Sequence, residues 1–200
     1  VEQAWELSSG DPSIIVAVLD EGVDYTHPDL KDAMWVNEDE IWRSREDNDG
    51  NGYAGDVYGY NFSLGTPIIS TDDVNDSGHG CHVAGVIAAT NNNGLGISSI
   101  AGGDGSNPGV RIISCQIFSG VKGGTVLDEV RAIKYAADNG ASIISCSFGY
   151  QDAAYYSDVA YKRGNSGLNA IEYEALMDFE ATRNNDVLDG GIAIFAAGNK

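Results

Sequence analysis

A histidine between two glycines is the feature of this sequence best suited to proton transfer. His79 lies in the segment Asp76–Gly85, DSGHGCHVAG, and small or apolar residues continue through Ala89. The glycines leave room for another segment to approach closely, and the pattern predicts a helix whose first turn presents the histidine. Because the unperturbed pKa of histidine lies near neutral pH, His79 is a candidate general base. A lone histidine is more often structural, so the assignment depends on its partners.

An aspartate at the end of a buried strand is the first such partner. Ser13–Leu19 is rich in apolar and β-branched residues, which is typical of a strand buried on both faces, and Asp20 follows it directly. Ligands of open α/β sheets bind at the carboxyl ends of the strands. A buried carboxylate there would fix the tautomer of His79 and stabilise its charged form. The alternative is an aspartate that only caps a turn.

An asparagine follows a second strand-like run. The segment Gly191–Ala197 predicts another buried strand, and Gly198 and Asn199 come directly after it. A side-chain amide at a strand end is able to donate a hydrogen bond to a developing oxyanion. Asn199 is therefore a candidate oxyanion donor, and a turn asparagine is the alternative.

The elements that would position these side chains alternate along the chain. We predict strands at about 13–19, 110–117, 142–147 and 191–197. We predict helices at about 79–90, 125–139 and 167–182. This alternation indicates an α/β fold with a doubly wound, mostly parallel sheet. In the second helix Thr125 suits the N-cap, and Gly140 suits the position after the last turn.

The composition excludes some classes of function. The 200 residues suit one domain with a sizeable core, and the net charge of −19 argues against a nucleic-acid partner. The acidity is compatible with bound divalent cations and with solubility outside the cell. No apolar run reaches the length of a membrane span, and the first residues lack a signal-peptide pattern. We therefore expect any targeting segment and pro-segment to lie outside this sequence.

An acidic loop has the opening pattern of a calcium site. In Asp47–Gly52, DNDGNG, oxygen ligands alternate and a glycine stands sixth, but the twelfth position is Tyr58 instead of glutamate. The loop is therefore not a complete EF-hand, and a solvated turn-rich loop is the alternative. The predicted metal ligands are Asp47, Asp49, Asn51 and Asp56.

The three cysteines do not form a disulfide or zinc pattern. Cys115 and Cys146 lie in predicted strands, where a free cysteine behaves as a small hydrophobic residue. Cys81, two residues after His79, is an alternative thiol nucleophile.

Four motifs in one order resemble the subtilisin-like serine proteases (subtilases, peptidase family S8). They match the family's aspartate motif, histidine motif, pocket strand and oxyanion segment. Cys81 replaces the usual threonine of the histidine motif. The resemblance implies a three-layer fold and a serine endopeptidase in which Asp20 orients His79 and Asn199 stabilises the oxyanion. The motifs are Val18–Asp24 with His27–Leu30, His79–Gly85, Ser145–Gly149 and Ala196–Asn199.

The resemblance also implies where a peptide would bind. Two segments would flank an extended substrate and pair with it through main-chain hydrogen bonds. Phe118 would shape an apolar subsite, or else belong to the core. The implied substrate-binding residues are Phe118, Gly123, Gly124, Ser147, Phe148 and Gly149.

One part of the family pattern has no match in this sequence. No Gly-Thr-Ser segment, which carries the nucleophile of the family, occurs in it. We expect the nucleophile beyond Lys200, so the 200 residues alone should lack turnover, and their unpaired sheet edge should promote self-association. We assign 1–200 to a partial peptidase domain, truncated after the oxyanion strand, with insertions at about 37–76 and 150–190.

Two other functions stay open from the sequence. One is a non-catalytic, calcium-dependent binding module of subtilase ancestry. The other is a metalloenzyme in which His79 and His82 bind zinc with Asp72, Asp73 or Asp76. For the protease, we expect calcium as a structural cofactor and a secreted or cell-surface location. The expected partners are protein or peptide substrates and a propeptide inhibitor, without nucleic acid or a membrane span.

Overall fold

A parallel five-stranded sheet forms the centre of the computed structural model, which describes residues 1–71, 77–120, 122–149, 168–186 and 188–198. The strand order is β2-β3-β1-β4-β5, and every neighbouring pair is parallel. The strands are β1 (Ile15–Glu21), β2 (Gly59–Asn61), β3 (Arg111–Phe118), β4 (Ile143–Cys146) and β5 (Ile192–Phe195).

Helices cover the sheet on both sides. The helical elements of the described ranges are α1 (Glu2–Trp5), a 3-10 turn (Lys31–Ala33), α2 (His79–Ala88), α3 (Val126–Asp138) and α4 (Leu168–Glu180), of which α2, α3 and α4 pack against the strands. None of the helices within the described ranges is long and apolar enough to cross a membrane. The predicted α/β class with a doubly wound parallel sheet is confirmed.

Strand β1 shows why the sheet needs helices on both faces. Successive side chains of a strand point to opposite faces. Val16 and Val18 pack in a core cluster with Ala84 and Ala88 of α2. Ala17 and Leu19 belong to a second cluster that contains buried residues of α3 and α4. The apolar run of β1 is therefore divided between two cores.

The ends of α3 follow the predicted rules. The Thr125 hydroxyl accepts a hydrogen bond from the backbone N–H of Asp128, and the Asp128 carboxylate accepts one from the backbone N–H of Thr125. This reciprocal capping box satisfies donors that the first turn would leave unpaired. Beyond the helix Gly140 has a φ of 83°, a left-handed conformation that glycine adopts at little cost.

The predicted elements are present, with shifted boundaries. Strand β1 continues through Asp20 and Glu21, so the aspartate lies within the strand and not after it. The short strand β2 was not predicted, because three residues carry too little periodic pattern. Cys115 and Cys146 are buried in the second core cluster, as predicted.

Candidate active site

The imidazole of His79 is bound to a buried carboxylate. Its Nδ1 lies 2.8 Å from Oδ1 and 2.9 Å from Oδ2 of Asp20. The Asp20 side chain is 3% exposed, whereas that of His79 is 47% exposed. Burial raises the pKa of Asp20, and the hydrogen bond to His79 opposes that rise. Since a carboxylate only accepts hydrogen bonds, Nδ1 carries the proton and Nε2 is left for proton transfer.

Strand alternation brings the two residues together. Val16 and Val18 face α2, and Asp20 is the next residue of the same parity. His79 is the first residue of α2, which packs against this face of β1. The carboxylate and the imidazole therefore meet at the carboxyl end of β1, where ligands of parallel sheets bind.

A second carboxylate, which the sequence did not single out, anchors the start of α2. Oε2 of Glu21 accepts hydrogen bonds from the backbone N–H groups of Ser77 and His79 at 3.0 and 3.1 Å. The N-cap residue Gly78 has no side chain for this purpose. The β1–β3 register shifts between Asp20 and Glu21, and such an irregularity redirects a side chain, so both carboxylates reach α2.

A close backbone approach fixes the same helix end. A Cβ atom on Gly80 would lie 2.8 Å from the carbonyl oxygens of both Glu21 and Gly22. The second glycine of the histidine motif is thus required by contact with β1, as the sequence indicated. The first glycine, Gly78, has a φ of 72° and open space around its Cα.

Cys81 lies behind the histidine and has a structural contact. Its Sγ is 3.0 Å from the backbone N–H of Asp24, and its thiol points toward the carbonyl of Gly22 at 3.6 Å. Burial raises the pKa of the Cys81 thiol, which keeps it protonated and therefore weakly nucleophilic. His82 is exposed on α2, and no described residue joins it in a cluster of metal ligands. The other ligands of the zinc alternative, Asp72, Asp73 and Asp76, lie outside the described residues.

Four of the six implied substrate-binding residues border a cavity of about 460 Å³. Phe118 at the end of β3 and Phe148 after β4 pack edge to face, with ring centroids 5.4 Å apart. Gly124 and Gly149 also line the cavity, and a Cβ on Gly124 would lie 2.8 Å from the Phe118 ring.

The other predicted substrate-binding residues, Ser147 and Gly123, do not line this cavity. Ser147 is half-buried, directly after β4, and Gly123 precedes α3 with open space around its Cα. Asn199 lies outside the described residues.

Three carboxyl groups of the acidic loop region converge. One oxygen from each of Glu40, Asp49 and Asp56 lies within 4.8 Å of the others. The predicted ligands Asp49 and Asp56 are therefore brought together, and Glu40 joins them. Asp47 does not belong to this group: it accepts hydrogen bonds from the backbone N–H groups of Gly50, Asn51 and Gly52, as a turn-capping residue does.

Two asparagine amides bind the same carboxylates. The Nδ2 group of Asn37 lies 2.9 Å from Asp49 and 3.3 Å from Asp56. The Nδ2 group of Asn51 lies 3.0 Å from each of them. Asp56 is fully buried, which raises its pKa, although its 2.6 Å hydrogen bond from the Tyr135 hydroxyl opposes that rise. The cluster thus combines oxygen-bearing side chains with concentrated negative charge.

The topology and the aspartate–histidine pair define an α/β protein with an acid–base pair at the carboxyl edge of a parallel sheet. The profile of the Subtilase family matches residues 11–200. The chain therefore belongs to the subtilase family.

Two relatives illustrate the similarity. Subtilisin-like protease 1 of Plasmodium vivax is 37% identical over 145 residues, which are 72% of this chain and 21% of that protein. Thermitase of Thermoactinomyces vulgaris is 32% identical over 187 residues, which are 86% of this chain and 54% of that protein. The chain thus spans about a fifth of the former relative and about half of the latter.

Solved structures agree with this fold. Fervidolysin from Fervidobacterium pennivorans, a keratinolytic enzyme related to subtilisin, has a TM-score of 0.55 and 25% identity, and the match covers 100% of this chain and 23% of that one. The serine protease of Aeromonas sobria has a TM-score of 0.63 at 20% identity, and the match covers 97% of this chain and 26% of that one. This second likeness supports the fold alone.

Proposed function

We propose that this chain is part of a serine endopeptidase that hydrolyses peptide bonds in proteins. Asp20 orients the imidazole of His79, which takes the proton of a nucleophilic serine through Nε2. The Asp20 carboxylate then stabilises the imidazolium that forms. The serine is expected in sequence that follows Lys200, and Asn199 donates a hydrogen bond to the oxyanion. The observation that supports this function most strongly is the contact of both Asp20 carboxylate oxygens with Nδ1 of His79.

The proposed chemistry uses each group in turn. The serine oxygen bonds to the substrate carbonyl carbon as its proton moves to His79, and the imidazolium then protonates the leaving amine. His79 then takes a proton from a water molecule whose oxygen bonds to the acyl carbon; the bond to the serine oxygen breaks, and the imidazolium returns the proton to that oxygen. The ionised Asp20 stabilises the imidazolium at both stages, and its burial strengthens that interaction.

A serine-directed fluorophosphonate probe tests this function on the full-length protein. We expect labelling of the mature wild-type protein, and loss of labelling in His79→Ala. His82→Ala is the matched control, because His82 is exposed three residues further along the same helix. Asp20→Asn should lower kcat by about 10⁴, since the imidazole would adopt the wrong tautomer. A folded, mature protein that is never labelled would instead favour the non-catalytic binding module.

We also propose that Glu40, Asp49 and Asp56 hold a structural calcium ion. Calcium prefers several oxygen ligands in a flexible arrangement, and the three carboxylates supply the negative charge. The amides of Asn37 and Asn51 point their NH2 groups at these carboxylates, and rotation of each amide by 180° would turn a carbonyl oxygen toward the cluster. The residues therefore fit a calcium ion. Asp56, one of its ligands, also accepts a hydrogen bond from Tyr135 of α3, so the ion would link the loop to that helix.

The domain and location are part of the same proposal. Residues 1–200 form part of one peptidase domain with insertions at about 37–76 and 150–190. An extracellular or cell-surface location is supported by the acidic composition and by the calcium cluster, because extracellular modules bind calcium at millimolar levels. A propeptide and protein substrates are the expected partners. Recovery of the mature protein only from the cytosol would contradict this location.

A further inference from the structure

The cavity beside the implied substrate segments contains an acidic pair. Most of its wall is apolar, with Phe118, Phe148 and Leu176 among the lining residues. Apart from Thr125, the polar lining residues are Glu129 of α3, which is 5% exposed, and Glu172 of α4, which is 2% exposed. Two carboxyl groups in an apolar cavity are costly unless something else compensates for the lost hydration. Their presence therefore requires a physical explanation.

The two groups only partly satisfy each other. A hydrogen bond joins the carboxyl groups of Glu129 and Glu172. Within the described part of the chain, Oε1 of Glu129 is buried and has no hydrogen-bond partner. None of the ion pairs between described residues involves Glu129. Oε1 of Glu129 is thus a buried acceptor without a donor among the described residues, and it belongs to a side chain that lines the cavity.

The strand register places this cavity near the aspartate–histidine pair. Phe118 at the cavity rim lies opposite Glu21 of the adjacent strand β1, one residue after Asp20. Phe148 follows Cys146, which lies opposite Leu19 on the other side of β1. The cavity therefore opens at the same end of the sheet as the proposed catalytic groups.

We propose that this cavity is a specificity pocket for a lysine or arginine side chain of the substrate, with Glu129 and Glu172 as its anionic base. The inference rests on the proposed endopeptidase function. Lysine and arginine carry an apolar stem and a cationic end, which match apolar walls and an acidic base. The Phe118 and Phe148 rings would pack against the stem, and the cationic group would donate to Oε1 of Glu129. A cavity of about 460 Å³ is large enough for such a side chain.

The surrounding charges favour a cation. Glu129 lies in the first turn of α3, where the helix dipole stabilises a negative charge. The Glu172 carboxyl of α4 is hydrogen-bonded to it, and burial and both carboxyl groups raise the pKa of the Cys146 thiol of β4. Among the described residues, no Lys, Arg or His forms an ion pair with Glu129. An entering cation would hold the pair ionised and replace the proton that the two carboxyl groups otherwise share.

Peptide cleavage by the full-length mature protein tests the pocket. A peptide library analysed by mass spectrometry should show lysine or arginine enriched at one position relative to the cleaved bond. Matched quenched peptides with arginine or methionine at that position then give a ratio of kcat/KM values. Glu129→Gln, which keeps the side-chain shape, should lower this ratio about tenfold or more, because a buried charge partner is lost. Fluorophosphonate titration corrects each rate for the folded fraction.

Two further variants make the outcomes distinct. Glu172→Gln should lower the ratio in the same direction, and it serves if the first variant folds poorly. Glu174→Gln, an exposed residue of the same helix that does not line this cavity, should leave the ratio unchanged. A protein that cleaves peptides without a basic preference, or with a preference that Glu129→Gln leaves intact, overturns the pocket alone. A protein that is neither labelled nor active overturns the endopeptidase function and the pocket with it.

Discussion

The carboxylate of Glu21 accepts a hydrogen bond from the backbone N–H of His79, 3.1 Å away, while the neighbouring Asp20 binds the imidazole of the same histidine. Two consecutive residues of one strand thus hold one residue of a helix at its main chain and at its side chain. Glu21 performs the role of an N-cap from another element, because Gly78 has no side chain to do so.

Removal of the Glu21 carboxylate should therefore slow catalysis without affecting substrate binding. Glu21→Ala leaves the first N–H groups of α2 unpaired, and we expect kcat to fall roughly tenfold as His79 loses its alignment. Steady-state kinetics on the full-length protein measures the effect. Glu21→Gln keeps one acceptor oxygen and should recover most of the loss. An effect confined to KM would contradict this positioning role.

Two glycines of α2 should respond in opposite ways to alanine. Gly80→Ala would bring a Cβ to within 2.8 Å of the carbonyl oxygens of Glu21 and Gly22, so the helix must move away and separate His79 from Asp20. We expect this variant to lose most of its activity and stability. Gly85→Ala meets only a side-chain carbon of Ile97, at 3.7 Å, and should stabilise the helix by roughly 0.5–1 kcal/mol.

Thermal unfolding and fluorophosphonate labelling of both variants provide the comparison. Equal effects of the two substitutions would mean that the contact between α2 and β1 does not fix the site.

Chelation should reveal the calcium site through stability. If calcium in large excess occupies the cluster, removal by EDTA should lower the melting temperature by about 5 °C or more. Asp49→Asn should reduce the difference between the melting temperatures measured in calcium and in EDTA. Asp47→Asn removes the same charge two residues earlier, outside the cluster, and should keep the difference. A larger loss in Asp47→Asn than in Asp49→Asn would favour the ligand set that the sequence pattern predicted.

The buried pair should make stability depend on pH in a defined direction. Burial, with the charge of Glu172, raises the pKa of Glu129 from its ordinary value of 4.5 to about 8. The folded protein therefore binds this proton more tightly than the unfolded chain does, and its stability falls as the pH rises from about 4.5 through 8. Glu129→Gln has no proton to lose, so its melting temperature relative to wild type should rise by a few degrees between pH 5 and pH 8.

Any proteolytic activity must be inhibited during these scans. Glu174→Gln serves as the control, and its melting temperature relative to wild type should not change with pH. If the melting-temperature difference between Glu129→Gln and wild type does not change with pH, Glu129 is already ionised in the folded protein.

The sequence predicted the aspartate–histidine pair because two local rules led to it. A buried apolar strand ending in an acid, and a helix beginning with a histidine, each have a strong pattern within about ten residues. Glu21 gave no such signal, because its contact depends on a register shift between two strands. Glu40 was missed for a similar reason: it lies seven residues before the acidic loop and reaches the cluster only after the chain turns back.

The acidic pair of the cavity was equally hidden. Glu129 and Glu172 are ordinary polar residues of helical segments in the sequence, and they are buried only because α3 and α4 pack together. Burial of a charged residue between two helices depends on tertiary packing, which local periodicity does not encode. Local periodicity also misplaced the end of β1. The apolar pattern stops at Leu19, but the strand continues through Asp20 and Glu21.

The central place of β1 has a consequence for how the protein is synthesised. Val16 pairs with Ile112 on one side and Ile143 on the other, so the strand that carries Asp20 has no neighbour until much of the chain has been made. Pairings between such distant residues form slowly, because a long loop must close first. Asp20 and His79 can therefore be aligned only once β3 and β4, which supply the cavity rim, are in place. A nascent chain would not acquire its acid–base pair before the strands that border the proposed pocket.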